Sequence, residues 1–311
     1  MKITVLDDWA GVAEEVADWA PLRARAEVAI LREPRRGAAL IDALKDSDAV
    51  LPMRERTSFD AATLAALPRL KLIALTGNTT RHLDLPTVAA RGITLCWSGT
   101  YHPEETAEFA LGLILSAEKG IGRGEAAIAR GGFMQGTGLG RRLKGLTLGV
   151  LGPGHIGGRL ARMAHAMEME VIGWSRGQAP LPGLTRAPFG EVLERSDILS
   201  LHLPLNDRTR GLLGAAELAR MKPGALLVNT ARGPLIREPA LIDALQRGHI
   251  RAALDVYDTE PLPPDHPLRR LPNVTLTPHL GYATRECMGM FYRDCIENLL
   301  AWLDGRPNRV L

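Results

Sequence analysis

Short aliphatic and β-branched runs alternate with longer segments of helical spacing along the whole chain. "KITVLD" (2–7), "AEVAILR" (26–32), "AVLPM" (49–53), "KLIALTG" (71–77) and "ITLCW" (93–97) each predict a strand. A helical segment follows the first of them. "GAALIDALKDSD" (37–48), "FDAATLAALPRL" (59–70, stopped near Pro68) and "DLPTVAARG" (84–92, ended by Gly92) predict further helices. Strands and helices alternating at this pitch imply a parallel sheet covered on both faces. Residues 1–100 therefore read as one small α/β unit.

"HPEETAEFALGLILSAEKG" (102–120) predicts a long helix, with Pro103 in its first turn and Gly120 at its end. A Gly/Arg-rich stretch follows at 120–145. A second series of strands then begins: "LTLGVLG" (146–152), "EVIGW" (170–174), "DILSLHLP" (197–204), "ALLVNTA" (225–231), "RAALDVY" (251–257) and "NVTLTP" (273–278). The last segment, "TRECMGMFYRDCIENLLAWLDG" (284–305), reads as a helix that would pack back onto the first unit. No motif repeats at a fixed short period.

Composition narrows the class. A chain of 311 residues is long for one domain and comfortable for two. Its 46% hydrophobic and 23% charged residues are ordinary for a globular protein. A net charge of +3 gives no basic surface for nucleic acid, and "GRRLKG" (140–145) reads as a solvated turn. Cys96, Cys287 and Cys295 are too scattered for a disulfide framework or a zinc site. The N-terminus lacks a charged-then-apolar signal pattern, and no apolar run reaches the ~18 residues of a membrane span. A soluble, cytoplasmic protein is expected.

"LGPGHIGG" (151–158) lies between a predicted strand and the helical "RLARMAHAM" and fits G-x-G-x-x-G at Gly152, Gly154 and Gly157. The first glycine permits a tight turn, the second lets backbone approach a pyrophosphate, and the third lets helix and strand pack closely. The helix start then offers N–H groups and a positive dipole end to phosphate. A glycine-rich turn alone is weak evidence, but the flanking strands fall at the distances that a dinucleotide site requires.

Further on, strand ends carry Arg232 in "VNTARGP", Asp255 and Glu260 in "LDVYDTEPL", and His279 in "LTPHLGY". Ligands of open α/β sheets sit at such carboxyl ends. Arg232 would bind a carboxylate bidentately. His279 would pass a proton to or from an oxygen. Glu260, hydrogen-bonded to it, would favour the imidazolium. Taken singly, each has a plainer explanation: a surface Arg, a turn His, a solvated Glu before Pro. The eight histidines form no H-x-x-x-H or His/Cys cluster, so no metal is expected.

Together these pieces resemble the D-isomer-specific 2-hydroxyacid dehydrogenases, a family that includes phosphoglycerate dehydrogenase and glyoxylate/hydroxypyruvate reductase. The resemblance rests on "TLGVLGPGHIGGRLARMAHAM", "LHLPLNDRTRGLLG", "MKPGALLVNTARGPLI", "ALDVYDTEPLP" and "LPNVTLTPHLGY", in family order and spacing. It implies two Rossmann-like or flavodoxin-like parallel-sheet domains with a cleft between them. One is a discontinuous substrate domain (1–100 plus 285–311), the other a dinucleotide-binding domain (101–284). It implies hydride transfer between a nicotinamide cofactor and a small D-2-hydroxy acid or 2-keto acid. Arg232 would bind substrate, Glu260 orient the histidine, and His279 serve as acid and base. Asp255 would hold the nicotinamide carboxamide, with Thr230, Ala231 and Gly281 nearby. Leu203, Pro204 and Thr209 would line the adenine side, and His155 and Ile156 the phosphates. Gly77 and Asn78, in "LTGNTTRHLDL", would hold the substrate carboxylate, and Arg54 would lie close by unless it merely caps a strand end. The family's usual homodimer forms through the nucleotide lobe, and 120–145 would be the embracing arm. Glu260 argues against formate dehydrogenase, where a Gln stands in its place. The rival reading is a corepressor-like protein that senses nicotinamide without turnover. The lack of any tail beyond two lobes favours the enzyme.

The stretch "VIGWSR" (171–176) bears on the cofactor. Ser175 falls 23 residues after Gly152, about where members that prefer NAD carry an Asp. That carboxylate would bond the ribose hydroxyl and repel a 2′-phosphate. Here Ser175 offers a hydroxyl and Arg176 a permanent positive fork. The expectation is NADP(H), with NAD(H) as the alternative, in which Arg176 is a loop residue stacking loosely on adenine.

Overall fold

The structure, a computed structural model, describes residues 1–99, 102–177 and 183–311. The chain divides into two compact units, residues 1–101 with 284–311, and residues 102–283. The expected boundary at 100–101 lies outside the described residues.

Unit 1 begins with β1 (Lys2–Val5), α1 (Ala13–Val16), α2 (Ala20–Arg23), β2 (Glu27–Ile30), α3 (Gly37–Leu44), β3 (Ala49–Leu51), α4 (Ala61–Ala65), β4 (Leu72–Leu75), α5 (Leu85–Ala90) and β5 (Thr94–Trp97). Among the described residues its strands form a parallel sheet of order β2-β1-β3-β4-β5. Ile3, Val5, Leu51, Leu72 and Ile73 are wholly buried, as in a sheet covered on both faces. Helices α4 and α5 start where Asp60 and Asp84 accept from the N–H groups of Thr63 (2.7 Å) and Thr87 (3.0 Å). Helix α4 is shorter than its predicted 59–70, as expected where Pro68 disfavours helical backbone in the residue before it.

Unit 2 holds α6 (Pro103–Lys119), α7 (Ile121–Ala129), β6 (Thr147–Leu151), α8 (His155–Ala166), β7 (Glu170–Trp174), β8 (Thr185–Arg186), α9 (Phe189–Arg195), β9 (Ile198–Leu201), α10 (Ala215–Ala219), β10 (Leu226–Asn229), α11 (Glu238–Gln246), β11 (Arg251–Leu254) and β12 (Val274–Leu276). Among the described residues its parallel sheet runs β12-β11-β10-β9-β6-β7-β8. The strand order reverses at β6 and β9, and at such a switch point loops diverge and leave room for a ligand. Helix α7 and strand β8 depart from the sequence reading, and α9, α10 and α11 fill connections for which it named no helical segment. Helix α7 occupies part of the Gly/Arg-rich stretch, where Gly122 and Gly124 weaken the local signal by about 1 kcal/mol each against alanine. Strand β8 is too short to leave a pattern.

Helix α12 (Arg285–Leu303) returns to unit 1. It packs against α1, β4 and β5, and its Asn298 Nδ2 donates to the Trp97 carbonyl at 2.9 Å. All three cysteines are buried. No helix among the described residues is long and apolar enough to cross a membrane.

Candidate active site

The loop from β6 into α8 is shaped by its glycines. Gly152 has φ +87°, and a Cβ there would stand 2.8 Å from the His202 carbonyl oxygen. A Cβ on Gly157 would stand 2.8 Å from the Gly152 oxygen and 2.9 Å from Val150, so only glycine lets α8 lie this close to β6. Gly154 caps α8 and faces open space, with no atom within 4 Å of where its Cβ would be. The first-turn N–H groups of His155, Ile156 and Gly157 have no helical carbonyl to bond. This loop therefore forms a cradle for an anion. Below it, His202 shares a 2.9 Å hydrogen bond with the Ser200 hydroxyl, and desolvation holds the imidazole down to about 4, hence neutral.

Around the cradle lie the other cofactor candidates. Leu203 is buried and Pro204 exposed. Thr209 is buried, and its hydroxyl donates to the Pro204 carbonyl (2.7 Å) while accepting from the Asn206 N–H (2.8 Å), so it is engaged in the turn itself. The Thr230 hydroxyl is buried without a hydrogen-bond partner. The Ala231 N–H donates to the Asn229 side chain at 3.0 Å. At the tip of β7, the Ser175 hydroxyl donates to the Gly177 carbonyl at 3.2 Å, and Arg176 is exposed.

Arg232, Glu260 and His279 sit on loops that follow β10, β11 and β12. The turn after Arg232 packs tightly, since a Cβ on Gly233 would stand 2.1 Å from the Tyr257 carbonyl carbon. Asn229 Nδ2 donates to the Arg232 carbonyl (2.9 Å), and Arg232 Nη1 donates to that of Ala231 (2.7 Å). Glu260 accepts from the Tyr257 N–H through Oε1 (3.0 Å) and pairs with His279 Nδ1 through Oε2 (2.6 Å). Burial works to raise the Glu260 carboxyl. The hydrogen bond and charge of His279, the Tyr257 N–H and Arg232 outweigh it and hold the group below the ordinary carboxylate value.

His279 has φ +58°, a left-handed backbone that costs a residue with a side chain about 1–3 kcal/mol. Asp255, wholly buried, supplies the restraint. It accepts from the N–H groups of Leu280 and Gly281 (both 2.8 Å) and from the Thr277 hydroxyl (2.6 Å). Burial pushes its carboxyl up against the pull of these donors. Successive N–H groups after a left-handed residue form an anion-binding nest, and here the anion is a side chain. The Tyr282 ring meets the His279 ring edge-on at 5.5 Å. With Nδ1 on Glu260, the atom of His279 left to exchange a proton is Nε2.

In unit 1, Arg54 and Gly77 come together. Arg54 has φ +53°, its N–H donates to the Thr76 hydroxyl (2.7 Å), and its Nη1 donates to the Thr76 carbonyl (2.9 Å). Its guanidinium lies 5.6 Å over the Phe291 ring. Gly77 has φ +143°, and a Cβ there would fall 2.2 Å from Arg54 Nη1. Asn78 is exposed. Sequence reasoning passed over Asn229, Tyr257 and Tyr282, which support the catalytic loops through contacts no local pattern encodes. His102, Glu104 and Glu105 bring three ligand-type atoms within 4.8 Å, yet Glu104 is already paired with Arg159.

Residues 111–281 match the family model of the D-isomer specific 2-hydroxyacid dehydrogenase NAD binding domain. The chain is 37% identical to a glyoxylate reductase of Aeropyrum pernix over 292 residues, covering 89% of this chain and 87% of that protein. It is 37% identical to a D-3-phosphoglycerate dehydrogenase of Mycobacterium leprae, covering 86% of this chain but 51% of that protein, so it spans about half that relative's length. The crystal structure of a phosphoglycerate oxidoreductase from Vibrio cholerae superposes with a TM-score of 0.93 at 36% identity, covering 98% of this chain and 99% of that one. The chain belongs to the D-isomer specific 2-hydroxyacid dehydrogenase family.

Proposed function

We propose that this protein is an NAD(P)-dependent oxidoreductase that interconverts a small 2-keto acid and its D-2-hydroxy acid. The observation that carries the reading is the 2.6 Å Glu260–His279 pair, with Arg232 on another strand-end loop near enough to help lower the Glu260 carboxyl. A nicotinamide dinucleotide fits the residues present. The anion cradle at Gly154 and the start of α8 suits its pyrophosphate, and the unpartnered buried hydroxyl of Thr230 suits a polar group of its nicotinamide half. The nicotinamide supplies the hydride in reduction and accepts it in oxidation. Asp255, which keeps acceptor capacity beyond its three donors, meets the carboxamide beside Ala231 and Gly281. Leu203 and Pro204 line the adenine side.

Arg232 binds the substrate carboxylate and polarises the adjoining carbonyl. His279 gives a proton from Nε2 to the carbonyl oxygen, while Glu260 stays ionised and stabilises the imidazolium through Nδ1. Within unit 1, Gly77, Asn78 and Arg54 are the proposed substrate-binding residues. Arg176 and the missing carboxylate at Ser175 favour NADP(H) over NAD(H). A second copy of the chain is the proposed partner, through the apolar segment 121–139 of unit 2.

The test is nicotinamide absorbance followed with glyoxylate, hydroxypyruvate and a panel of 2-keto acids, for the wild type and His279→Gln. The wild type should turn over at least one substrate, and the variant should be slower by about 100- to 10,000-fold. Near-wild-type turnover by the variant would overturn the mechanism. A flat wild-type trace with tight cofactor binding would overturn the enzyme reading.

A further inference from the structure

We propose that Arg186 is a selectivity residue of the cofactor site, acting with Arg176 to favour a dinucleotide that carries a 2′-phosphate. The inference rests on the NADP(H) reading above and adds a residue from a different strand. Strand β8 is a two-residue edge strand that pairs Thr185 with Ile172 and Arg186 with Gly173 of β7. That register sets Arg186 one pair short of the tip of β7. Its side chain reaches the tip, where Nη1 stands 3.3 Å from the Ser175 carbonyl oxygen and 3.4 Å from its hydroxyl oxygen.

Ser175 explains why a second cation matters. A hydroxyl has one proton to donate, and that of Ser175 already goes to the Gly177 carbonyl at 3.2 Å. In this arrangement Ser175 presents only lone pairs, so donors to a phosphate must come from the arginines. A phosphate monoester carries close to two negative charges and three acceptor oxygens. Arg176 follows Ser175 in the chain, and Arg186 approaches it from β8. Two guanidinium groups at one strand tip match that charge, and each can donate two parallel hydrogen bonds. Both side chains are exposed, so neither carries a desolvation cost of its own in the free protein.

The competing explanation is that Arg186 only ties the β7 tip in place. A tie would support both cofactors alike, whereas a phosphate ligand would support only the phosphorylated one. Arg186→Gln, Arg186→Lys and Arg176→Gln should therefore be compared with the wild type in two ways. One is kcat/KM with NADPH and with NADH. The other is calorimetric affinity for 2′-phospho-ADP-ribose and for ADP-ribose, which needs no turnover.

In the wild type, both measurements should favour the phosphorylated nucleotide. Arg186→Gln should cut that preference by about tenfold to a hundredfold, as expected for one lost charge-assisted contact. The cut should appear in KM for NADPH with kcat little changed, and Arg186→Lys should restore part of it. An equal loss for both nucleotides, or no loss, would overturn the role of Arg186 while leaving the NADP(H) reading standing. A wild type that favours ADP-ribose and NADH would overturn both.

Discussion

His279 is held by two carboxylates with different tasks. Glu260 faces its ring and stays ionised, and Asp255 holds the backbone that follows it. Because the Glu260 carboxyl is depressed in the folded chain, its contribution to stability is present above its ordinary value of 4.5 and is lost as pH falls through the acid range. Glu260→Gln should therefore flatten the acid side of the stability curve, measured as the urea midpoint against pH. It should also slow keto-acid reduction, because the His279 ring loses the carboxylate that holds its Nδ1 at 2.6 Å. Wild-type turnover by the variant would mean that the Glu260 carboxylate has no part in the reaction.

At the scale of elements, two glycines set how closely chain segments approach. Gly157→Ala would drive a methyl group to 2.8 Å from the Gly152 carbonyl oxygen, so α8 must shift off β6. The expected cost is about 1–3 kcal/mol, the usual range for overpacking. Cofactor affinity should fall with it, because the anion cradle is the start of the same helix. Gly233→Ala meets a harder obstacle, backbone at 2.1 Å, and should be the more destabilised of the two. Thermal unfolding with and without NADPH ranks them. If Gly157→Ala lost stability but kept full affinity, helix packing and phosphate binding would be separate matters.

At the scale of the molecule, the chain leaves unit 1 after β5, builds unit 2, and returns as α12. Unit 2 carries an unusual surface. Ile121, Ile128, Phe133, Met134 and Leu139 are all exposed, from 55% to 91%, within one stretch. Beside it lies a cavity of about 470 Å³ lined in part by Arg123, Arg130, Arg251 and Leu276. Exposed apolar side chains gathered in one patch mark an interaction surface, and a self-complementary patch closes as a two-fold dimer. The double substitution Phe133→Glu and Leu139→Glu should shift sedimentation toward the monomer without unfolding the chain, since both side chains are already exposed. A monomeric wild type would remove the dimer from the proposal.

Local pattern alone determined much of this protein. The central strands of both sheets are largely continuous apolar runs because they are covered on both faces, and such runs need no long-range information to be read. The phosphate loop was legible because its three glycines recur at fixed spacing between a strand and a helix, even though Gly152 is crowded by the distant His202 carbonyl. Arg232, Glu260 and His279 were legible as residue types at strand ends. Tertiary structure decided what the local pattern could not. It put His279 in a left-handed backbone, with the N–H that follows it held by a carboxylate 25 residues from Leu280, and it laid Arg54 where a side chain on Gly77 would stand. Through the pairing of β8 with β7 it brought Arg186 to Ser175. Each of these depends on register or loop packing between distant segments, which hydrophobic periodicity does not specify. Helix α7 lies in the same class, for its glycines obscure a helix that the fold nevertheless supports.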